Sequence, residues 1–503
     1  MNLRYFAKKH FEAIWCIITS FLVLTFTTRS SFLFPYNNWD DVNSYFTMGK
    51  GMMNGLVIYR DLYDQKGPFL YFLYGIGYLL SHNSFLGIFF FEIIAGFLFL
   101  FFAFKVIKRH SCTTVAIVFI PLLACAVYSS RSFYWGGAAE EFCLPALSYT
   151  LYILDIFMHP QNEKESELIS DSKTYFTIGV LTGIVALVKY TMMGFFFSFA
   201  VISICIIISK KGLFEVLKKA LFFLLGIATP IIPWLIYFGV NGALDDWYRC
   251  YIYNNLFFYS NITGNSIGLY DKFYKLAKLQ YWLTLDNLEY FIWIIAAFIL
   301  ALFLEKHFAK KIAYIFMYAS TFLVIFYGGG TLPYYSIPLT VFTIPGAAYL
   351  SELIQKKVYP RHNKEIVWCN AAVLILSISV VFAKYNCLST DYFLTSKNDH
   401  WLTRMATQIT GAPDTTLLNV GCLDVGLYTI TGIVPTCEYF QTNGIALPTM
   451  FDEQQRYIDE GITEYVIAGE MEPNGIYQHY ELIDSVSFFD NSYDQVYYLY
   501  KKK

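Results

Sequence analysis

The sequence predicts an α-helical polytopic membrane protein with a small extracytoplasmic α/β domain at its C-terminus. Of its 503 residues, 56% are hydrophobic and 15% are charged, and the mean hydropathy is +0.45. Soluble domains carry about 25% charged residues, so this composition indicates a chain that is largely embedded in lipid. The net charge of −2 argues against nucleic acid as a partner.

Apolar stretches recur along most of the chain, and about 11 of them are long enough to cross a bilayer. They cover residues 11–28, 85–104, 113–130, 142–158, 174–190, 191–209, 220–240, 290–304, 312–327, 335–353 and 366–383. Arg4, Lys8 and Lys9 precede the first stretch. Because basic residues flanking a span stay in the cytoplasm, the N-terminus is predicted to be cytoplasmic.

One further apolar stretch, residues 67–80, has a length of about 14 residues, which is typical of an interfacial or re-entrant helix. If it does not cross, every basic cluster falls inside, as the positive-inside rule requires. These clusters are residues 1–10, 105–112, 159–173, 210–219, 305–311 and 356–364. The same assignment places loops 31–84, 131–141, 241–289 and 328–334 outside.

The hydrophilic tail alternates strand-like runs with an amphipathic segment, which predicts a small α/β domain outside the membrane. We therefore expect a transmembrane catalytic domain over residues 1–383 and an outer domain over 384–503. Residues 421–426 (GCLDVG) lack the spacing of a nucleotide-binding fingerprint and are interpreted as a strand-to-helix turn.

The first outer loop carries an adjacent acid pair, Asp40 and Asp41, followed by Lys66 at the start of the short helix. Neighbouring carboxylates repel, so at least one tends to have a raised pKa or to need a cation. Such an acid can act as a general base towards a hydroxyl or help to hold a metal ion. A solvated pair or a helix cap is the alternative. Lys66 suits an anionic head group, although it could also snorkel to the interface.

The second outer loop carries Glu140 and Glu141 behind a Gly-Gly pair. This pair could meet the first acid pair around one cavity, or interact favourably with its own helix N-terminus, and both can hold together. Lys189 lies at a hinge between two predicted spans with almost no loop. A lysine buried there is costly unless it is paired, so an anionic ligand or a carboxylate is expected beside it.

Together these motifs resemble the GT-C superfamily of membrane glycosyltransferases, nearest to the bacterial family 39 type. That branch is related to protein O-mannosyltransferases and lipid A aminoarabinose transferases. The resemblance extends from the N-terminus to about residue 355. The matching motifs are Trp39-Asp40-Asp41, the run Tyr59-Arg60-Asp61…Asp64-Gln65-Lys66-Gly67-Pro68, Glu140-Glu141-Phe142, Lys189, Pro230…Pro233-Trp234 and Leu332-Pro333-Tyr334-Tyr335.

The resemblance implies an inverting transfer of a sugar from a polyprenyl-phosphate donor to a hydroxyl of a lipid, surface polymer or protein, at the outer membrane face. It implies catalytic roles for the four acids, which could also hold a divalent metal ion, and phosphate contacts for the basic residues. The catalytic candidates are Asp40, Asp41, Glu140 and Glu141, and the phosphate-binding candidates are Lys66, Lys189 and Arg131. The substrate-binding candidates are Tyr59, Asp61, Asp64, Tyr334 and Tyr335. Relatives often have His-Tyr in place of the last pair, which leaves the role of that turn open.

Two other classes of protein were weighed. A transporter or a flippase for lipid-linked oligosaccharides predicts charged residues at mid-membrane and helix breaks in paired halves, whereas the charges here gather at one face. A non-catalytic assembly or receptor protein gives no reason for two acid pairs on separate outer turns. The sequence therefore favours a membrane glycosyltransferase.

Overall fold

The computed structural model describes residues 3–259, 268–328, 330–358, 365–409, 414–445, 447–490 and 493–503. Parts of several predicted features lie outside these described residues. They are residues 1–2 of the first basic cluster, residues 260–267 of the outer loop 241–289, Gly329 of the late outer turn, residues 359–364 of the last basic cluster, and residues 410–413, 446 and 491–492 of the predicted outer domain.

Helices make up most of the described chain, and many of them are long and apolar. Seven are long and apolar enough to cross a membrane, or up to eight if a pair bent by 115° counts as one span. The seven are His10–Thr27, Leu86–His110, Glu141–Met158, Tyr190–Lys211, Leu213–Val240, Phe308–Phe326 and Pro333–Lys356; the bent pair is Tyr270–Asp286 with Leu288–Leu304. The protein is therefore a multi-pass membrane protein, and the total of about 11 spans stays a prediction.

Further helices connect or flank these segments. They are Asp40–Met53, Pro68–Leu80, Thr113–Tyr128, Glu163–Leu168, Ser172–Ala186, Leu244–Trp247, Glu365–Asn386, Trp401–Gln408, Leu427–Thr431 and Pro448–Asp459, with a π-helix at Tyr248–Tyr259. The α-helix Thr343–Val358 forms most of the segment that begins at Pro333. The helix Pro68–Leu80 lies where the interfacial helix is predicted. Proline at its first position needs no hydrogen-bond partner for the missing N–H, which favours a helix start there.

The chain forms two compact units. The first, here called the helical unit, comprises residues 1–28, 91–233 and 266–391. The second, the loop–tail unit, comprises residues 29–90, 234–265 and 392–503. The C-terminal tail thus belongs to the same unit as the first outer loop. The division into functional domains at residue 383 stays a prediction.

A four-stranded sheet forms the centre of the tail, in the order β1-β2-β4-β3. The strands are β1 Leu417–Val420, β2 Tyr465–Gly469, β3 Tyr480–Asp490 and β4 Tyr493–Lys502. β1 and β2 are parallel, with Leu417 opposite Tyr465, and the other pairs are antiparallel. All five residues of β2 are buried because this strand is central and covered on both faces. The predicted small C-terminal sheet is confirmed.

Within the loop–tail unit, polar contacts join the tail to the helix Asp40–Met53. Thr47 donates a 2.6 Å hydrogen bond to Asp424, and Ser44 donates one of 2.6 Å to Gln441. All four side chains are buried. Because a buried polar group without a partner is costly, these bonds specify how the tail docks on the helix that begins with the acid pair.

Candidate functional site

The acid pair of the first outer loop opens a helix. Asp40 and Asp41 are the first two residues of Asp40–Met53, both half-buried, and the Asp41 N–H donates a 2.8 Å hydrogen bond to Asp40 Oδ1. Burial, followed by the negative charge of Asp41, raises the pKa of Asp40 to about 7. A carboxyl group that titrates near neutral pH is well matched to removing a proton from a hydroxyl.

Asp64 and Lys66 form a buried group later in the same loop. Asp64 accepts hydrogen bonds from the Tyr71 hydroxyl at 2.9 Å and from Asn443 Nδ2 at 2.8 Å. Burial raises the pKa of Asp64, and the charge of Lys66 opposes that shift. Lys66 Nζ lies 5.7 Å from the centre of the Tyr45 ring. The structure thus surrounds this lysine with a carboxylate and aromatic faces.

Tyr59 and Asp61 shape the turn that leads to Lys66. Tyr59 has a backbone φ of 72°, unusual for a side chain of this size, and its hydroxyl donates a 2.6 Å hydrogen bond to the Lys66 carbonyl. Asp61 accepts from the Val57 N–H at 2.7 Å and pairs with the exposed Arg60 at 2.7 Å. Both candidates therefore stabilise the loop, and their contact with substrate stays a prediction.

In the helical unit, Glu140 pairs with Lys189. The ion pair joins Lys189 Nζ to Glu140 Oε1, and Glu140 is 1% exposed. Lys189 Nζ also lies 3.6 Å from the centre of the Tyr335 ring and 5.7 Å from that of Tyr334. From the sequence, either an anionic ligand or a carboxylate is expected beside Lys189. The structure contains the carboxylate. Glu140 Oε2 accepts no hydrogen bond within the described residues, so one lone-pair face of this carboxylate stays open to another donor or cation.

Glu141 faces a different neighbour from Glu140. Its Oε2 accepts a 2.9 Å hydrogen bond from the Gly137 N–H, and Glu92 lies beside it. Glu92 is fully buried and accepts a 2.7 Å hydrogen bond from Thr28. Gly136 is required here, because a Cβ would lie 2.6 Å from Glu92 Oε1 and its φ is +81°.

Arg131 is the one exposed member of the predicted set in the helical unit. Its side chain is 58% exposed, and its guanidinium lies 3.8 Å from Asp286, a separation typical of a weak surface pair. The neighbouring Ser132 is buried and contacts Asn287 and Ser336. The loop is therefore anchored by Ser132, which leaves Arg131 at the surface.

A small cavity in the loop–tail unit has a volume of about 120 Å³. Its lining includes the cations Arg29 and Lys397 and the amides of Asn37 and Asn43. Arg29 donates a 2.5 Å hydrogen bond to Asn38, so the residues just before the acid pair are held in place from this side. Sequence reasoning did not single out this cavity, because Lys397 is far away in the chain.

Comparisons with known proteins agree with this architecture. The family model described as dolichyl-phosphate-mannose-protein mannosyltransferase matches residues 65–237. No curated protein matches the chain by sequence. Solved structures of ArnT from Cupriavidus metallidurans match over 98% of both chains, with TM-score 0.60 and 12% identity for the apo state and 0.61 and 13% for the form bound to undecaprenyl phosphate. The chain therefore has the same fold as ArnT, and its residues 65–237 are similar to that mannosyltransferase family. Both findings agree with the resemblance drawn from the motifs.

Two further candidate site residues in the loop–tail unit were not predicted from the sequence. Lys50 and Asp424 are both fully buried, and Lys50 Nζ donates a 2.5 Å hydrogen bond to the Tyr428 carbonyl. Burial lowers the pKa of Lys50 to about 7, with Asp424 opposing, and burial raises the pKa of Asp424. The sequence did contain a signal for both residues. Lys50 follows the acid pair by about three helical turns on the same helix, and Asp424 is the acid within residues 421–426, which were interpreted as a plain turn. Glu92, alone in an apolar run, was a similar signal.

The predicted acids fit the expected divalent metal ion poorly. The charge of Glu140 is already balanced by Lys189, and Glu141 accepts a hydrogen bond from the Gly137 backbone N–H. Asp40 uses Oδ1 for the Asp41 N–H. Among the described residues, the group of potential ligands that gathers within 4.8 Å is His110, Asp155 and His159, which includes none of the four acids. No step is therefore assigned to a metal at the acids.

Proposed function

We propose that this chain transfers a sugar from a polyprenyl-phosphate donor to a hydroxyl acceptor at the outer face of the membrane, with inversion at the anomeric carbon. The observation that carries the proposal is the half-buried Asp40 beside Asp41, with a pKa of about 7. The fold supports it, since a GT-C structure of the same architecture was solved with undecaprenyl phosphate bound. The family model over residues 65–237 supports a lipid-phosphate donor as well.

In the proposed step, the Asp40 carboxylate accepts the proton of the acceptor hydroxyl as its oxygen attacks the anomeric carbon. A bond forms between that oxygen and the anomeric carbon, and the bond from the carbon to the phosphate oxygen breaks. The polyprenyl phosphate leaves with the bonding electron pair. Attack opposite to the leaving group inverts the configuration. Burial and, after it, the negative charge of Asp41 raise the pKa of Asp40 to about 7.

Lys66 is proposed to balance the charge of the leaving phosphate. It is 7% exposed, and its backbone N–H bonds to the Tyr71 hydroxyl at 2.7 Å, at the N-terminus of the short apolar helix. Positive groups held in place before the reaction stabilise a leaving phosphate without reorganisation. The roles of Glu140, Glu141, Lys189 and Arg131, and the shared cavity expected for the two acid pairs, come from the resemblance and stay predictions.

The test uses purified protein in lipid nanodiscs with a polyprenyl-phosphate sugar and a hydroxyl acceptor. Asp40→Asn keeps the shape of the side chain and removes the base, so transfer should fall by about 10²–10⁴ while donor binding is retained. Asp245→Asn is the matched control, because Asp245 is 81% exposed in the same unit and pairs with Arg249.

Near-normal turnover of Asp40→Asn would refute the assignment of the base. Loss of activity in Asp41→Asn alone would assign the role of general base to Asp41. A nucleotide sugar supplied without lipid carrier should give no transfer, and direct transfer from it would refute the lipid-phosphate donor.

A further inference from the structure

A second polar cluster lies at helix ends that the charge pattern places in the cytoplasm, and it shares no residue with the proposed site. His110 ends the helix Leu86–His110, Asp155 lies in the last turn of Leu144–Met158, and His159 follows directly. Asp155 Oδ1 lies 2.8 Å from His110 Nε2 and 3.3 Å from His159 Nδ1. All three belong to the helical unit.

We propose that His110, Asp155 and His159 bind a divalent cation of the zinc class. Two imidazole nitrogens and one carboxylate oxygen are a ligand set that zinc accepts, with bonds of about 2.0–2.2 Å. Ligand atoms around a tetrahedral ion at that range lie roughly 3.3 Å apart. The three candidate atoms all lie within 4.8 Å of one another, so small side-chain shifts suffice.

The outer nitrogens of both rings support this assignment. His159 Nε2 lies 2.8 Å from Glu305 Oε1, and His110 Nδ1 lies 3.6 Å from Glu352 Oε2. Metal-bound histidines almost always give their other N–H to such a group. With the outer nitrogens directed at these carboxylates, the inner nitrogens of both rings face the Asp155 oxygen. Either ring protons or one bound cation can fill the space between these three atoms.

The charges around the cluster also leave room for a cation. Arg109 pairs with both Asp155 and Glu165, so one permanent cation serves two carboxylates next to the histidines. Arg109 Nε donates a 2.7 Å hydrogen bond to Asp155 Oδ2, which orients the carboxylate and leaves Oδ1 for the ion.

A cavity of about 600 Å³ adjoins the cluster, so ions and water can reach it. His110, His159, Glu305, Glu352 and Gln355 are among the residues that line it. A water molecule from this side could complete a fourth coordination position. A bound ion would connect the ends of the two long helices Leu86–His110 and Glu141–Met158. Through the contacts of the histidines with Glu305 and Glu352, it would also stabilise the packing of two further helices. This role is independent of the sugar transfer proposed above.

The test measures zinc binding by the full-length purified chain after treatment with a chelator. Dialysis against Zn²⁺ alone, at slightly alkaline pH so that fewer protons compete with the ion for the imidazole nitrogens, should leave one ion per chain by mass spectrometry. His110→Asn and His159→Asn should lose the ion. Glu305→Gln should weaken binding about 10- to 100-fold, because it removes the group behind His159. His307→Ala is the matched control, since this exposed histidine lines the same cavity outside the cluster.

A second variant keeps the proposal testable if an asparagine variant fails to fold. His159→Cys retains a ligand at the same position, so Co²⁺ should give a thiolate-to-cobalt absorption band that the wild type lacks. A wild-type chain that binds no zinc would show that protons alone neutralise the cluster and would overturn the proposal. Zinc retained by the His110→Asn/His159→Asn double variant, or lost on Asp40→Asn instead, would also overturn it.

Discussion

Asn443 donates a hydrogen bond of 2.8 Å from Nδ2 to Asp64 Oδ1, across 379 positions of sequence. Asp64 belongs to the first outer loop and Asn443 to the tail, and both side chains are buried. Asp64 in turn accepts from the Tyr71 hydroxyl, which itself accepts from the Lys66 N–H. The tail therefore helps to position the lysine proposed to face the donor phosphate.

Asn443→Ala should destabilise the loop–tail unit. The substitution leaves a buried carboxylate oxygen without its donor, which costs about 1–3 kcal/mol of unfolding free energy. The thermal unfolding midpoint, followed by tryptophan fluorescence in detergent, should fall. Asn474→Ala, at an exposed position of the tail, should leave it unchanged. An unchanged midpoint in Asn443→Ala would show that the bond contributes little.

The pH dependence of transfer should report on Asp40. The base must be ionised, so kcat/KM should rise with pH through about 7 and then level off, because the pKa of Asp40 is raised to about 7. Asp41→Asn removes the neighbouring negative charge, so the midpoint should move to lower pH. The shift should be partial because burial, the larger cause, remains. A midpoint that stays in place or moves up would contradict the coupling, and Asp245→Asn should reproduce the wild-type profile.

Lys189→Ala should separate a structural role from a phosphate-binding role. Alone it leaves Glu140 buried and charged, and breaking such a pair costs about 3–5 kcal/mol of stability. The double variant Glu140→Gln/Lys189→Met removes both charges and should recover most of that stability. If Lys189 also contacts the donor phosphate, the double variant should bind the lipid donor about 10-fold or more weakly than the wild type. A loss of this size is typical when one hydrogen bond to a charged group is removed. Wild-type donor affinity in the double variant would confine Lys189 to pairing with Glu140.

The topology prediction can be tested by cysteine labelling with an impermeant reagent, on a background without native cysteines. His82→Cys and Glu472→Cys, both exposed, should react from outside the cell. Lys108→Cys and Lys210→Cys should react only after the membrane is opened, because the basic clusters are predicted to be cytoplasmic. Reaction of Lys108→Cys from outside would mean that residues 67–80 cross the bilayer.

The sequence alone determined the class of protein, the position of the short helix Pro68–Leu80 and the presence of a small C-terminal domain with strands, and its motifs pointed to the fold that the structural comparisons found. These follow from local quantities, namely the length of apolar runs, alternation of side chains, proline at a helix start, and motifs read within one loop. The lysine at the hinge could likewise be expected to need a negative partner, because the cost of burying a charge does not depend on the fold.

Only the tertiary structure decided which partners those residues have. Lys189 meets Glu140, Asp64 meets Asn443, and Lys50 lies in a buried group with Asp424, although each pair is far apart in the chain. Tyr59 and Asp61 stabilise a turn, which their motif did not indicate. Partner choice depends on how helices and loops pack, and a single sequence carries no direct record of distances between remote residues. Ionisation follows partner choice, because burial and neighbouring charges set a pKa only after the chain has folded.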